Sequence, residues 1–272
     1  MRIVTIAREI GAFGAEQEEK FCKALGLRSV HRDALEERFK ELGTDFEQLK
    51  KFDEKKPGMF DSLFGVPNVY SATLRTAILH EALQGDVAII GRGANFFLGD
   101  VVECLRLRFI APLEIRAKRV ASQYNIKTEQ ALNLVKKYDR EREGFCKYFY
   151  DRKWQDSCAY DMIINTAEIN VDDMLDTLNM LSLKMAVSDY GAKRLNDLSL
   201  AYRIRHKLLI LKHADITLLD IDCNDGNVVI SGSVSYEGAK DKAEDIVRKV
   251  DGVKSVTNQI QVVPQDISWH MP

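Results

Sequence analysis

Short apolar runs separated by helical stretches constrain this chain most. Ile3 to Ala7, Val87 to Ile90, Leu105 to Ala111 and Met162 to Ile164 are strand-sized, and the segments between them carry helix signals. Helices are expected from Ala15 to Leu25 with Gly26 as the stop, over residues 31–50, and from Ser71 to about Gln84. More are expected from Pro112 onward, over Lys127 to Gly144, and from Val171 to about Leu183. Pro112 suits a first helical turn, where a missing N–H costs nothing. Strands alternating with helices imply a mainly parallel sheet with helical crossovers. Residues from Pro57-Gly58 to Val66-Pro67 read as a mobile loop.

The pattern changes near residue 195. Leu198 to His213 reads as an amphipathic helix, and two alternating strands, Ile216 to Cys223 and Val228 to Val234, flank Asn224-Asp225-Gly226-Asn227. Asp-Gly between such runs is a strong hairpin signal. A helix over Tyr236 to Val250 and a strand over Val253 to Val263 complete a small α+β set. The expected division is residues 1–190 and residues 198–272.

Composition narrows the class. A net charge of −2 offers no general attraction to nucleic acid, so any phosphate affinity must be local. No apolar run is long enough to cross a bilayer, and the start lacks a signal-peptide pattern. Five scattered cysteines without a C-x-x-C pair point to a reduced, cytoplasmic protein rather than a disulfide framework. His31, His80, His206, His213 and His270 show no metal-ligand spacing.

The chemistry-bearing pattern is Ile89-Ile90-Gly91-Arg92-Gly93-Ala94-Asn95, followed by Asp139-Arg140-Glu141-Arg142. A strand ending in Gly-Arg sets a guanidinium at the carboxyl edge of a sheet, where open α/β sheets bind ligands. Arg holds phosphate with a fork of donors. Nucleotide binding or phosphoryl transfer is the chemistry these residues suit. The competing reading is a sheet-edge salt bridge and a solvated helix face.

Residues 1 to about 183 resemble the cytidylate-kinase-like branch of the P-loop nucleoside monophosphate kinases. The resemblance rests on Ile-Ala-Arg-Glu-Ile-Gly at 6–11, the Gly-Arg segment at 89–95 and residues 109–120. The Asp-Arg-Glu-Arg run, Tyr148, Trp154 and residues 160–166 continue it. Residues 198–263 resemble a BON domain through Asp225-Gly226, Val229 to Val234 and Gly252 to Asn258. The implied architecture is a P-loop kinase-like parallel sheet with helices on both faces, plus a small α+β BON-like domain. The kinase resemblance implies a nucleoside triphosphate such as ATP, with Mg²⁺, and transfer to a nucleoside monophosphate or other small acceptor. It implies that Arg92 grips the acceptor's phosphate and that Arg140 and Arg142 close over the transferred group. The BON resemblance implies a ligand- or surface-binding module, and neither a nucleic-acid partner nor a transmembrane segment is expected.

The phosphate loop departs from its motif, in which glycines let backbone N–H groups cradle phosphates and a Lys and a hydroxyl follow. Gly14 and Glu16 stand at the Lys and hydroxyl positions, and Phe13 and Ala15 replace a glycine and an arginine usual in the branch. Gly11, Gly14 and the helix N-terminus after them remain candidates for phosphate. Arg8 can supply the missing charge, and Glu16 is the nearest carboxylate for a metal. Arg116 and Arg119 fit packing better than adenine binding. Arg203, Arg205, His206, Lys207 and Lys212 beside Leu208 to Leu211 fit either a membrane-surface helix or a helix packed on its own sheet, the latter preferred. Three functions stay open: phosphoryl transfer, a nucleotide sensor without turnover, and a scaffold whose function lies in the BON-like module.

Overall fold

The computed structural model describes residues 1–44, 66–210 and 216–263. Two compact units make up the chain, Met1–Ala192 and Lys193–Pro272. In the first, β1 (Ile3–Arg8), β2 (Arg28–Val30), β3 (Val87–Ile90), β4 (Leu105–Ile110) and β5 (Met162–Asn165) form one sheet in the order β2-β3-β1-β4-β5. Every pairing is parallel, with Ile6 opposite Ile90, Arg8 opposite Phe109 and Val30 opposite Ile89. The connections are α1 (Ala15–Leu25), α2 (Arg32–Glu41), α3 (Val66–Leu83), α4 (Ala94–Gly99), α5 (Leu113–Tyr124) and α6 (Thr128–Tyr150), with α7 (Leu175–Lys184) after β5.

Alternation along the strands divides the core into two layers. Val4, Ile6, Ala88, Ile90, Leu107 and Phe109 face Phe21, Cys22 and Leu25 of α1 and Leu178 of α7. Ile3, Val87 and Ile89, also buried, point the other way, and α3, with Ile78 and Leu79 fully buried, packs against β3. Helices therefore cover both faces. α1 is framed by glycines: Gly14 caps it, and Gly26 ends it at φ 63°, a left-handed stop that suits glycine.

α4 was not expected, α2 stops at Glu41 rather than residue 50, and four further elements differ from the sequence-based expectation. β2 was not anticipated, because Arg28-Ser29-Val30 is three residues long with two of them exposed and shows no periodicity. α3 begins at Val66, not Ser71: Pro67 falls in its first turn, where proline costs no hydrogen bond. Residues 45–65 of the expected loop and helix lie outside the described residues. α6 runs on through Gly144 to Tyr150, because burial of Phe145, Cys146 and Phe149 outweighs one helical glycine.

The fourth is α8 (Asp189–Ile210), which starts nine residues before the expected Leu198. Leu200, Ile204 and Leu208 of α8 enter the core of the second unit, so its apolar side is packed rather than presented to a membrane. Leu211, Lys212 and His213 lie outside the described residues. β6 (Thr217–Asn224) and β7 (Asn227–Val234) pair antiparallel, and β8 (Ser255–Val262) joins β7 in parallel after α9 (Glu237–Arg248). Asp225 and Gly226 turn the hairpin at φ 49° and 79°, both positive as a two-residue type I′ turn requires. Among the described residues no helix is long and apolar enough to cross a membrane.

Candidate functional site

β1, β2 and β3 end together, so Arg8, His31-Arg32-Asp33 and Gly91-Arg92-Gly93 meet at the carboxyl edge of the sheet. A cavity of about 340 Å³ opens there, walled on its far side by α6 through Glu141, Arg142 and Phe145 and by Trp154 beyond it. Arg8, Arg92 and Arg142 all line it, and Arg32 adds a fourth guanidinium. Its position is the one expected of a ligand site in an open α/β sheet.

Consecutive left-handed residues shape the floor. Gly91, Arg92 and Gly93 have φ of 76°, 57° and 66°. Arg92 pays the steric cost of that conformation, of the order of 1–3 kcal/mol for a non-glycine residue, and the turn brings its side chain to the cavity. Tyr150 closes the turn from behind, its hydroxyl donating to the Arg92 carbonyl at 2.7 Å. A Cβ at Gly93 would lie 2.2 Å from the Tyr150 ring. The residue after the Gly-Arg pair is thus held to glycine by an aromatic neighbour.

The loop from Glu9 to Gly14 is pinned by its carbonyls. Arg119 donates to Gly11 O at 3.2 Å, Thr166 donates its hydroxyl proton to Ala12 O, and Arg8 donates to Phe13 O at 3.0 Å. Gly11, at φ 79°, packs so closely on α5 that an added Cβ would sit 2.7 Å from the Arg116 carbonyl. Phe13 is stacked on Phe109 with ring centroids 4.0 Å apart. The Gly14 N–H is engaged by Gln17 Oε1 at 3.0 Å, an acceptor in the place a phosphate oxygen takes in a standard phosphate loop.

Arg8 is shared. Its Nη1 lies 2.8 Å from Glu18 Oε2, and His31 Nε2 lies 2.7 Å from Glu18 Oε1. Glu18 is buried to 1% exposure inside α1. Burial pushes its carboxyl above the ordinary carboxylate range, while Arg8 and His31 pull it back.

Arg116 ties α6 to the sheet. Buried in α5, it donates to both carboxylate oxygens of Asp139 at 3.0 and 2.9 Å and approaches Glu9 at 3.2 Å. Asp139 thereby fixes the helix three residues ahead of Arg142, whose guanidinium lies 5.9 Å from the centre of the Trp154 ring. Trp154 itself is held by Arg108, which donates to its carbonyl at 2.9 Å. Arg116 and Arg119 act as packing clamps in this arrangement.

Of the residues singled out in the sequence, the structure gathers Arg8, Arg92 and Arg142 on one cavity. Arg140 is exposed and does not line it, and Gly11 and Gly14 shape the neighbouring loop without lining it. Glu16 does not line the cavity; it turns to solvent, 83% exposed and paired with Lys20 at 3.1 Å. Among the described residues no cluster of three or more His, Cys, Asp or Glu could hold a metal. Sequence reasoning missed His31, Arg32 and Asp33, which follow the unanticipated β2, and Glu18, whose burial no local pattern marks.

Residues 3–168 match the family model described as the cytidylate kinase-like family, and residues 196–264 match that of the BON domain. A cytidylate kinase of Methanopyrus kandleri is 24% identical over 185 residues, covering 65% of this chain and 90% of that protein. Another, of Pyrococcus horikoshii, is 25% identical over 169 residues, covering 61% and 80%. Among solved structures, an uncharacterized protein from Eubacterium ventriosum superposes with a TM-score of 0.52 at 23% identity. It covers 67% of this chain and 98% of that one and shares the fold.

Proposed function

The chain belongs to the cytidylate kinase-like family and carries a BON domain, and from that premise we propose that its first unit binds a phosphorylated small acceptor and transfers phosphoryl to it from a nucleoside triphosphate. The acceptor class is a nucleoside monophosphate or a molecule of similar size and charge. One observation carries the reading: Arg8, Arg92 and Arg142 come from three separate elements and line one cavity. A cluster of guanidiniums at a sheet's carboxyl edge suits a ligand with several anionic oxygens.

Roles follow from placement. Arg92, fixed by its left-handed turn and by Tyr150, is a ground-state clamp on the acceptor's phosphate. Arg142, on the helix latched by Asp139, meets charge that develops as the phosphoryl group moves. Arg8, at the end of β1, lies between the loop and the cavity and supplies the positive charge that the missing loop Lys would give. Glu141, beside Arg142 on the cavity wall, would offer an oxygen to a Mg²⁺ brought by the triphosphate, and the ion would supply neutralisation of phosphate charge. The five cysteines are unpaired thiols, which accords with a cytosolic setting.

A second reading has its own support. Phe13 stacked in the core, Gln17 on the Gly14 N–H and Glu18 on Arg8 all weaken the donor side of the site. They favour a protein that binds nucleotide without turnover and passes occupancy to the BON domain, itself a binding module for a small ligand or surface. Incubation with Mg-ATP and a panel of nucleoside monophosphates, followed by separation of the products, decides between them. Formation of a diphosphate supports transfer. Saturable binding without product supports the sensor.

A further inference from the structure

The cavity's cations are not equally available to a ligand, and the difference traces to a buried acid outside the cavity lining. Glu18 is enclosed in α1 and reaches two residues that do line it, Arg8 at 2.8 Å and His31 at 2.7 Å. The Arg8 contact is an ion pair by distance, yet Glu18 Oε2 has no hydrogen bond of acceptable geometry. Nη1 of Arg8 directs its hydrogen bond instead to the Phe13 carbonyl at 3.0 Å. Arg8 is therefore oriented by Phe13 and neutralised by Glu18, two separable effects.

We propose that Glu18 is the internal counter-ion of the anion site, setting its affinity by competing with the ligand's phosphate for Arg8. This rests on the reading of the cavity given above. A bound phosphate draws on the same guanidinium, and the negative charge behind it opposes that binding. His31 keeps a bond to Glu18 when Arg8 turns to the ligand, so the carboxylate is never left alone in the core, where an uncompensated charge is costly. The arrangement selects for ligands with enough charge to outcompete a buried carboxylate.

The test is calorimetric titration of the full-length protein with Mg-ATP, whose phosphates are the ones assigned to Arg8. Glu18→Gln keeps the shape and a hydrogen-bonding group toward Arg8 and His31 but removes the charge. It tightens binding by about tenfold, the scale of one unit charge acting across several ångströms at intermediate dielectric. Arg8→Gln weakens binding, and the double variant binds like Arg8→Gln alone, because the effect of Glu18 passes through Arg8. A purely structural role would shift binding alike with and without Arg8, so the loss of the gain in the Arg8→Gln background is what assigns it to Arg8.

Should circular dichroism show Glu18→Gln unfolded, Glu18→Asp withdraws the carboxylate by one methylene and tightens binding about threefold, a smaller step of the same Coulombic effect. Unchanged or weaker binding in the folded variant, with Arg8→Gln weakened as expected, overturns the counter-ion and leaves the cavity reading intact. If Arg8→Gln binds like the parent protein, or if none of the proteins binds, the placement of Arg8 in an anion site fails and the inference fails with it.

Discussion

The Tyr150 hydroxyl donates to the carbonyl of Arg92 at 2.7 Å, joining the end of α6 to the turn that presents the central arginine of the cavity. The same ring stands where a side chain at position 93 would be. Gly93→Ala therefore suffers both a left-handed backbone and a collision, at a cost of about 1–3 kcal/mol. Removing the ring with Tyr150→Ala relieves the collision, so the double variant is less destabilised than the two single changes summed. Urea unfolding of the set measures the coupling, and strict additivity would contradict it.

Arg142→Ala lowers turnover more than it weakens acceptor binding, because its partner is charge that appears in the transition state. Lys in its place restores part of the rate, since it returns the charge without the fork of donors. Steady-state kinetics with Mg-ATP and the accepted monophosphate report kcat and KM separately. A rise in KM with kcat unchanged would move Arg142 from the lid role to ground-state binding.

The fold was largely legible because β1, β3 and β5 are short, mostly apolar runs, β4 sets Leu105, Leu107 and Phe109 at every second position, and helices carry visible stops such as Gly26. β2 escaped, as three residues cannot show a period, and with it went His31, Arg32 and Asp33. The Gly-Arg turn was legible as a site because a charged residue one glycine beyond a buried strand is placed at the strand's carboxyl end. Arg140 and Arg142 look alike in sequence. Helical geometry separates them by about 200°, so only Arg142 faces the cavity. Glu18 was invisible for the opposite reason: an acid among Glu16, Glu18 and Glu19 looks like a solvated surface, and only the tertiary placement of Arg8 and His31 shows that it is buried.

Stability of the second unit falls with acid. His206, 3% exposed on α8, is held neutral by burial, its pKa pushed down to about 4. The unfolded chain takes up a proton near pH 6.5, so between pH 6.5 and 4 the unfolded state binds more protons. The stabilisation is complete above pH 6.5 and is lost toward pH 4, by at most about 3 kcal/mol at 1.36 kcal/mol per unit. His206→Leu flattens this part of the profile in denaturant titrations across that range. An unchanged slope would show that His206 does not titrate on unfolding.

Residues 193–272 contain a core of their own, with Leu200, Ile204, Val228, Ile230, Val247 and Ile260 packed together. A fragment that includes the start of the unit at Lys193 unfolds cooperatively by circular dichroism, whereas one beginning at Leu200 lacks the first turns of the α8 segment and is less stable. Equal stability of the two would show that residues 193–199 contribute nothing to the unit.

Calorimetric titration of nucleoside monophosphates into the parent protein and Arg92→Ala tests the central claim, that the cavity at the carboxyl edge is an anion site built around Arg92. Saturable binding of at least one monophosphate is expected, weakened about 10- to 100-fold in Arg92→Ala, the scale of a hydrogen bond to a charged group. Undiminished binding in Arg92→Ala, or no binding at millimolar ligand in the parent protein, would contradict it.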